Sequence, residues 1–142
     1  MKALKQPQIP MKLRASIGGF LGTSHSIELN NGGLIYTTLD FGWENPESMH
    51  IRPTESQWRK FRIELDDLKI WQWQTEYPNN GVRDGTQWSL EIEYGDKHLI
   101  TGGDNNYPCA DGSPNNQSEP PTLTFVRYLK AVEELLGGME FQ

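Results

Sequence analysis

Several short segments of the chain alternate between apolar and polar residues, the period of two that predicts a β-strand with one buried face. The alternation is clearest over residues 88–94, where every second side chain is large and apolar. Residues 11–17 and 27–29 follow the same rule, and residues 34–41 are rich in β-branched and aromatic side chains. Each of these segments is therefore predicted to be a strand.

Two further segments have apolar residues every three or four positions, the period of an amphipathic helix. Thr54 precedes the first of them, and Gln57 three positions later gives the spacing of an N-terminal capping box. The stripe of this helix consists of Trp58, Phe61, Leu65 and Leu68. A second helix is predicted over residues 123–136, before a Gly137-Gly138 stop. Its stripe consists of Phe125, Leu129, Val132 and Leu136.

Short turns between the strands predict antiparallel pairing. The Asn-Asn-Gly-Gly sequence of residues 30–33 accepts the positive φ of a tight hairpin, and a Gly-Asp turn leads from residues 88–94 into a last strand at residues 97–101. Residues 42–53 contain two prolines and are predicted to be a loop. The element order is then β-β-β-α-β-β-α. We expect an α+β fold, a two-layer sandwich whose antiparallel sheet has both helices on one face.

The length of 142 residues fits one domain. We expect a flexible N-terminal arm at residues 1–10, a single α+β domain over residues 11–138 and a tail at residues 139–142. Residues 102–122 show no apolar period and are predicted to be a long loop. Within it residues 108–121 are predicted to be mobile, because residues 111–116 offer no apolar side chain to anchor them.

The composition excludes several classes of protein. The net charge of -6 argues against a nucleic-acid partner, because phosphate binding needs clustered Lys and Arg. No apolar run approaches the ~18 residues needed to span a membrane. Cys109 is the single cysteine, so no intrachain disulfide can form. The N-terminus lacks the apolar stretch of a secretory signal, and we expect a cytoplasmic protein.

Candidate catalytic and metal-binding residues are sparse. His25, His50 and His98 lie in three different segments without the spacing of metal ligands, so we expect neither a metal nor a cofactor. Glu91 and Glu93 lie two positions apart on one strand face. They are either an acid–base pair or, as the alternation indicates, residues of the solvent-facing side of the sheet.

The most unusual feature is a high density of aromatic residues between the first helix and the last strands. Trp71 and Trp73 would share a face in an extended chain. The candidate binding residues in and around this region are Trp71, Trp73, Tyr77, Asp84, Gln87, Trp88, Asn105 and Tyr107. Two interpretations are open: the rings pack beneath the loops, or they line a partly exposed groove for a partner.

Two motifs within this region suggest a family. Residues 84–88 read Asp-Gly-Thr-Gln-Trp, and residues 103–108 read Gly-Asp-Asn-Asn-Tyr-Pro. The pattern resembles a set of small uncharacterised bacterial domains with an Asp-Gly-x-x-Trp turn and strand followed by a Gly-x-Asn-x-Tyr-Pro turn. The resemblance covers about half of the chain and implies an architecture without an established activity. Residues 109–121 depart from the compact turn that this pattern implies.

We therefore expect a non-catalytic module that binds another protein, with inhibitors and immunity-type factors of bacteria or phages as a subcase by analogy. A domain that binds a small molecule or peptide is the first alternative. An enzyme that uses Asp84, Asp104 or Glu91 as its carboxylate is the second.

Overall fold

The computed structural model describes residues 9–19, 22–40, 46–78, 85–115 and 121–142. The predicted N-terminal arm lies almost entirely outside the described residues. The strands and helices are β1 (Lys12–Gly18), β2 (Ser24–Asn30), β3 (Gly33–Leu39), β4 (Glu47–Ile51), α1 (Glu55–Asp67), β5 (Gln87–Glu93), β6 (His98–Asp104) and α2 (Leu123–Leu135).

The strands form one six-stranded sheet in the order β4-β3-β2-β1-β5-β6, and every neighbouring pair is antiparallel. The predicted α+β fold class is thus confirmed. Alternation fixes the register, because Ala15 of β1 faces Ile27 on one side and Leu90 on the other. All three side chains are buried on the same face.

Strand β4 occupies part of the segment that was predicted to be a loop, which is wrong for Glu47–Ile51. It pairs with β3 at the edge of the sheet, with Met49 opposite Tyr36. Its first four residues are exposed and the fifth is half-buried, so no apolar alternation marks it in the sequence. The element order therefore contains one strand more than predicted.

Local signals in the sequence explain several boundaries. Asn31 and Gly32 both have positive φ, at 54° and 79°, as the predicted hairpin turn requires. At the start of α1 the Gln57 backbone N–H donates to Thr54 Oγ1, and the Thr54 N–H donates to Gln57 Oε1. This reciprocal pair is the predicted capping box. Gly137, with φ of 71°, ends α2.

The two helices cover one face of the sheet and pack against each other, with Trp58, Phe61 and Leu65 of α1 buried. The last residues, which were predicted to be a tail outside the domain, contribute the fully buried ring of Phe141 to this core. A Glu133 carboxylate oxygen accepts a hydrogen bond from the Phe141 N–H at 2.9 Å and fixes the returning chain.

The opposite face of the sheet is polar and uncovered by either helix. Lys12 pairs with Glu91 at 3.1 Å, and the hydroxyls of Ser16 and Ser89 are 2.7 Å apart. Glu93 lies on the same face, opposite His98. The glutamates thus occupy the solvent-facing side that strand alternation predicted.

The predicted loop at residues 102–122 begins later and is better anchored than expected. Strand β6 continues to Asp104. The Tyr77 hydroxyl donates to the carbonyl of Gly112 at 2.7 Å, and the Cys109 N–H donates to the carbonyl of Ser113 at 2.7 Å. Backbone groups, the buried Tyr77 and the loop's own Tyr107, whose ring packs on Phe125 at 4.8 Å, therefore anchor this segment.

Candidate functional site

The aromatic residues that the sequence singles out are mostly core residues. Four of the predicted binding residues are at most 5% exposed: Trp73, Tyr77, Trp88 and Tyr107. The rings of Trp73 and Trp88 meet edge to face with centroids 6.1 Å apart, and Tyr77 packs on Trp88 at 5.8 Å. Of the two interpretations, the structure supports packing, since all four rings belong to the core.

Trp71 and Trp73 do not share a face, because the chain around them is not extended. A turn of 3-10 helix, Ile70–Gln72, turns Trp71 outward and Trp73 into the core. Trp71 Nε1 donates to Asp66 at 2.7 Å, and its ring centre lies 5.5 Å from the guanidinium of Arg62. Trp71 belongs to a charged cluster with Arg62, Asp66, Tyr94 and Asp96, called the Arg62 cluster below.

The two sequence motifs meet at one corner of the sheet. The Asn105 N–H donates to the carbonyl of Thr86 at 2.7 Å, and Trp88 Nε1 donates to the carbonyl of Asn106 at 3.0 Å. A Cβ at Gly103 would lie 2.3 Å from Trp88 Nε1, so glycine is required there. Of the remaining predicted site residues, Gln87 is exposed on the open face, and Asp84 lies outside the described residues.

A groove of about 650 Å³ lies between this corner and α2, and we call it the corner groove. Its apolar floor consists of Ile17, Tyr107 and Leu129, and Val126 forms an apolar part of its rim. Its polar rim consists of Thr86, Asn105, Lys130, Glu133 and Gln142. Two predicted site residues, Asn105 and Tyr107, thus line one concave surface.

One flank of α2 leaves apolar side chains in solvent beside this groove. Leu123 is 77% exposed, and Val126, one helical turn further, is 44% exposed. Neither residue belongs to the buried stripe of α2. An apolar rim next to an apolar floor is a typical feature of a protein-binding surface.

Two opposite charges, Lys130 and Glu133, line the corner groove. They form no salt bridge within the part of the chain that the structure describes. By contrast, Arg127 on the other flank of α2 pairs with Asp67 of α1 at 2.8 Å. Glu133 accepts the hydrogen bond from the Phe141 N–H, so part of its carboxylate is used inside the fold, whereas Lys130 is available to a ligand.

A second cavity of about 460 Å³ adjoins the corner groove and shares Ile17, Thr86 and Gln142 with it. We call it the glycine-rimmed cavity, because Gly18, Gly19, Gly22 and Gly85 line it. Its polar side chains are Thr23, His25, Thr86, Glu140 and Gln142.

His25 has a defined hydrogen-bonding state in this cavity. The Tyr36 hydroxyl has one hydrogen, which it donates to the carbonyl of Glu140 at 2.5 Å. His25 Nδ1 lies 3.1 Å from the same hydroxyl, so Nδ1 is the protonated nitrogen and donates to it. In the neutral imidazole Nε2 is then an acceptor, and no hydrogen-bond partner of Nε2 occurs among the described residues.

Burial lowers the pKa of His25, while the carboxylates of Glu140 and Glu133 oppose this shift. The side chain is only 4% exposed. Desolvation disfavours the charged imidazolium, so His25 is neutral at pH 7.

The sequence offered signals for only part of this site. Leu123 and Val126 are detectable, since they are apolar residues of α2 that fall outside its buried stripe. His25 is not, because its surroundings include Glu140 and Phe141 from the far end of the chain.

Neither a metal centre nor a membrane span emerges from the described ranges. No group of three or more His, Cys, Asp or Glu side chains in them is arranged to hold a metal ion. No helix in them is long and apolar enough to cross a membrane. No protein-family model matches the chain, and no curated protein matches it. The resemblance drawn from the two motifs therefore stays a prediction.

Proposed function

We propose that this chain is a non-catalytic protein-interaction module that binds a partner protein in the corner groove. The observation that supports the proposal most directly is the exposure of Val126 in that groove, with Leu123 exposed one helical turn away on the same flank of α2. Complete burial of such a side chain from an exposed state is favourable by ~1.5–3 kcal/mol. Leu123, at 77% exposure, can gain most of this free energy, and Val126, at 44%, less than half.

The partner that fits best is a basic protein. The chain has a net charge of -6, which accelerates association with a partner of opposite charge. Glu133 and Glu140 lie beside the groove and the adjoining cavity, and Lys130 limits which basic surfaces fit. Inhibitors and immunity-type factors in the cytoplasm of bacteria are the subcase that this charge and size suggest by analogy.

The test uses one substitution in the groove and one matched control. Val126→Glu places a charge on the apolar rim, and Ile63→Glu makes the same change at a residue of α1 that is 58% exposed. Both variants and the wild type are used as bait for affinity capture from the source cells. A protein that the wild type captures is then purified, and its binding to the wild type and to both variants is measured by titration calorimetry.

The proposal predicts that Val126→Glu weakens the dissociation constant of this purified partner by at least about tenfold, the effect of ~1.4 kcal/mol at an interface residue. Ile63→Glu should stay within about twofold of the wild type, since surface substitutions away from an interface change little. Equal binding by the two variants would overturn the corner groove as the interface.

A small-molecule ligand is the alternative, and a third cavity favours it. A groove of about 470 Å³ on the open face of the sheet is lined by polar side chains that include Ser16, Ser24, Ser89, Gln87 and Asp104. The test is whether a fraction of cell metabolites raises the melting temperature of the protein in the absence of a partner. This alternative predicts that Asp104→Asn abolishes the stabilisation and that Val126→Glu leaves it intact.

A further inference from the structure

We propose that the glycine-rimmed cavity receives a guanidinium group, the arginine side chain of the partner, between His25 and Glu140. This inference rests on the proposed function and adds the chemical group by which the partner is recognised. It concerns a cavity that lies beside the corner groove and shares Ile17 and Thr86 with it. One partner segment can therefore occupy both.

Two polar groups of the cavity, His25 Nε2 and the carboxylate of Glu140, are acceptors without a matching donor. His25 Nε2 has a free lone pair, and the carboxylate of Glu140 has no salt bridge within the described ranges. Among the described residues that line the cavity there is no Lys or Arg. A ligand must therefore supply several N–H donors and, opposite Glu140, a positive charge. A guanidinium does both, with five N–H donors in a flat fork.

The His25 side chain is more than nine-tenths buried. Its Nε2 is not one of the fully buried polar atoms without a partner, so this nitrogen keeps some access to solvent. A bound donor takes the place of water there. Hydrogen bonds that involve a charged group are the stronger kind.

Two glycines of the rim, Gly19 and Gly22, have room for a side chain. Gly19 lacks the positive φ that only glycine adopts with ease. A Cβ at Gly22 would meet nothing within 4 Å in the described chain, and one at Gly19 would meet the Gly85 carbonyl at an unstrained 3.7 Å. Side chains at these positions would fill the mouth of the cavity. Their absence leaves room for a flat group to approach the backbone.

Gly18 differs from these two, because a Cβ there would lie 2.1 Å from Ser24 Oγ. That glycine is required by the close packing of β1 and β2. Gly18 is therefore a structural glycine, whereas Gly19 and Gly22 shape the cavity and can be substituted in a test.

The experiment uses the full chain without its partner and a defined probe. N-acetylarginine amide is titrated into the protein, and N-acetylcitrulline amide, the uncharged analogue of the same shape, is titrated in parallel. The ring resonances of His25, His50 and His98 are followed by NMR. His50 and His98 are exposed on the open side of the molecule and serve as internal references.

We expect the arginine probe to shift the His25 ring resonances in a saturable way and the citrulline probe to shift them far less. The apparent pKa of His25 should fall when the arginine probe is bound, because a cation beside the ring disfavours its protonation. His50 and His98 should keep their resonances. A pure structural role of His25 would not make its titration depend on the probe.

Two further measurements test the inference, the effect of removing a charge and the effect of pH on binding of the probe. Glu140→Gln should weaken binding of the probe by about fivefold, the upper range for a partly exposed ion pair, and Glu47→Gln on β4 should have no effect. Binding should also weaken as the pH falls through the pKa of His25. The groups that face this ring are Tyr36 of β3, Glu133 of α2 and Glu140 of the C-terminal segment.

Three results would overturn the inference: equal shifts from both probes, equal shifts at all three histidines, or probe binding that Glu140→Gln leaves unchanged. Gly22→Leu is a further variant, in which the leucine side chain should block binding of the probe without disturbing the contacts of His25. If the probe fails to bind while Val126→Glu still abolishes capture of the partner, the guanidinium site is wrong and the proposed function stands. If the probe binds while capture is insensitive to Val126→Glu, the site stands and the corner groove is wrong.

Discussion

The two ends of the β5–β6 hairpin differ in whether their charged groups are paired inside the fold. At the turn end, Arg62 donates to both carboxylate oxygens of Asp96, at 3.1 and 2.9 Å, and its Nε donates to Asp66 at 2.9 Å. The same guanidinium lies 4.5 Å from the ring centre of Tyr94. All three nitrogens of this cation donate inside the fold, and the Arg62 cluster connects α1 to the sheet.

At the other end, Gln87 pairs with Asp104 and the chain enters the corner that holds the corner groove. Lys130 and Glu133 have no salt bridge there within the described residues, and His25 keeps one ring nitrogen without a partner. The buried layer beneath is nevertheless as well packed as at the turn end, with the rings of Trp88 and Phe125 4.7 Å apart.

The difference separates two uses of polar groups. Groups that stabilise a fold are paired internally, because an unpaired group in a partly buried place costs free energy. Groups that bind a partner must remain unpaired until the partner arrives. The Arg62 cluster has the first arrangement, and the corner groove with the glycine-rimmed cavity has the second. The predictions below test whether substitutions at the two ends divide into effects on stability and effects on binding.

The largest effect on stability is expected from Trp88→Ala. Trp88 is 3% exposed and contacts Trp73, Tyr77 and Phe125 in the layer beneath the corner groove. Truncation of a buried tryptophan typically costs ~3–5 kcal/mol. Urea denaturation followed by circular dichroism measures the loss. If the variant had the same denaturation midpoint as the wild type, the layer beneath the corner groove would not be part of the core, and the comparison of the two ends would be wrong at this point.

A smaller loss is expected from Arg62→Ala at the turn end. The change removes two charge-assisted contacts and the stacking on Trp71 and Tyr94, and we expect it to cost about 1–3 kcal/mol. Arg59→Ala is the matched control, since Arg59 lies on the same helix and its contact with Glu55 is a 3.8 Å surface pair. Equal melting temperatures for the two variants would mean that the Arg62 cluster does not stabilise the fold.

The stability that Asp96 contributes should depend on pH. The hydrogen bond from Arg62 lowers the pKa of Asp96 below its ordinary value. A carboxyl group with a lower pKa in the folded state stabilises the protein above its unfolded pKa, and this contribution is lost as the pH falls through the folded pKa. Wild type and Asp96→Asn should therefore differ most near pH 7 and converge below about pH 4. Thermal melts at several pH values measure the difference, and a gap that widens in acid would contradict the assignment.

The fold could be predicted from the sequence wherever buried and exposed residues alternate along the chain. In β5 the residues Trp88, Leu90 and Ile92 are buried and their neighbours are not, so that the period of two is visible. Strand β4 was not predicted, because it lies at the edge of the sheet and Ile51 is its one residue that is half-buried. Its formation depends on pairing with β3, which no local pattern reveals.

The candidate site was accessible only in part, for a related reason. The motif residues Asn105 and Tyr107 reach the groove, but the rings that made the region conspicuous are needed for the core. An aromatic residue has the same signature in a sequence whether it is buried or exposed. His25 has its role through Tyr36 and Glu140, which lie 104 positions apart and meet only in the folded chain.

The smallest effect on stability is expected at the rim of the corner groove. Val126→Glu should change the free energy of unfolding by less than about 0.5 kcal/mol, because the side chain is 44% exposed and lies outside the buried stripe of α2. Glutamate is also a better helix former than valine, which offsets part of any lost contact with Leu129.

Phe125, the preceding residue of the same helix, is fully buried, and Phe125→Ala should cost ~3–5 kcal/mol under the same conditions. Urea denaturation at pH 7 of both variants and of the wild type measures the pair. The comparison of the two ends requires that Val126→Glu unfolds with the wild type while it fails to bind the partner. If Val126→Glu instead loses more than about 1 kcal/mol, the rim belongs to the core, and loss of binding by this variant no longer distinguishes a recognition residue from a structural one.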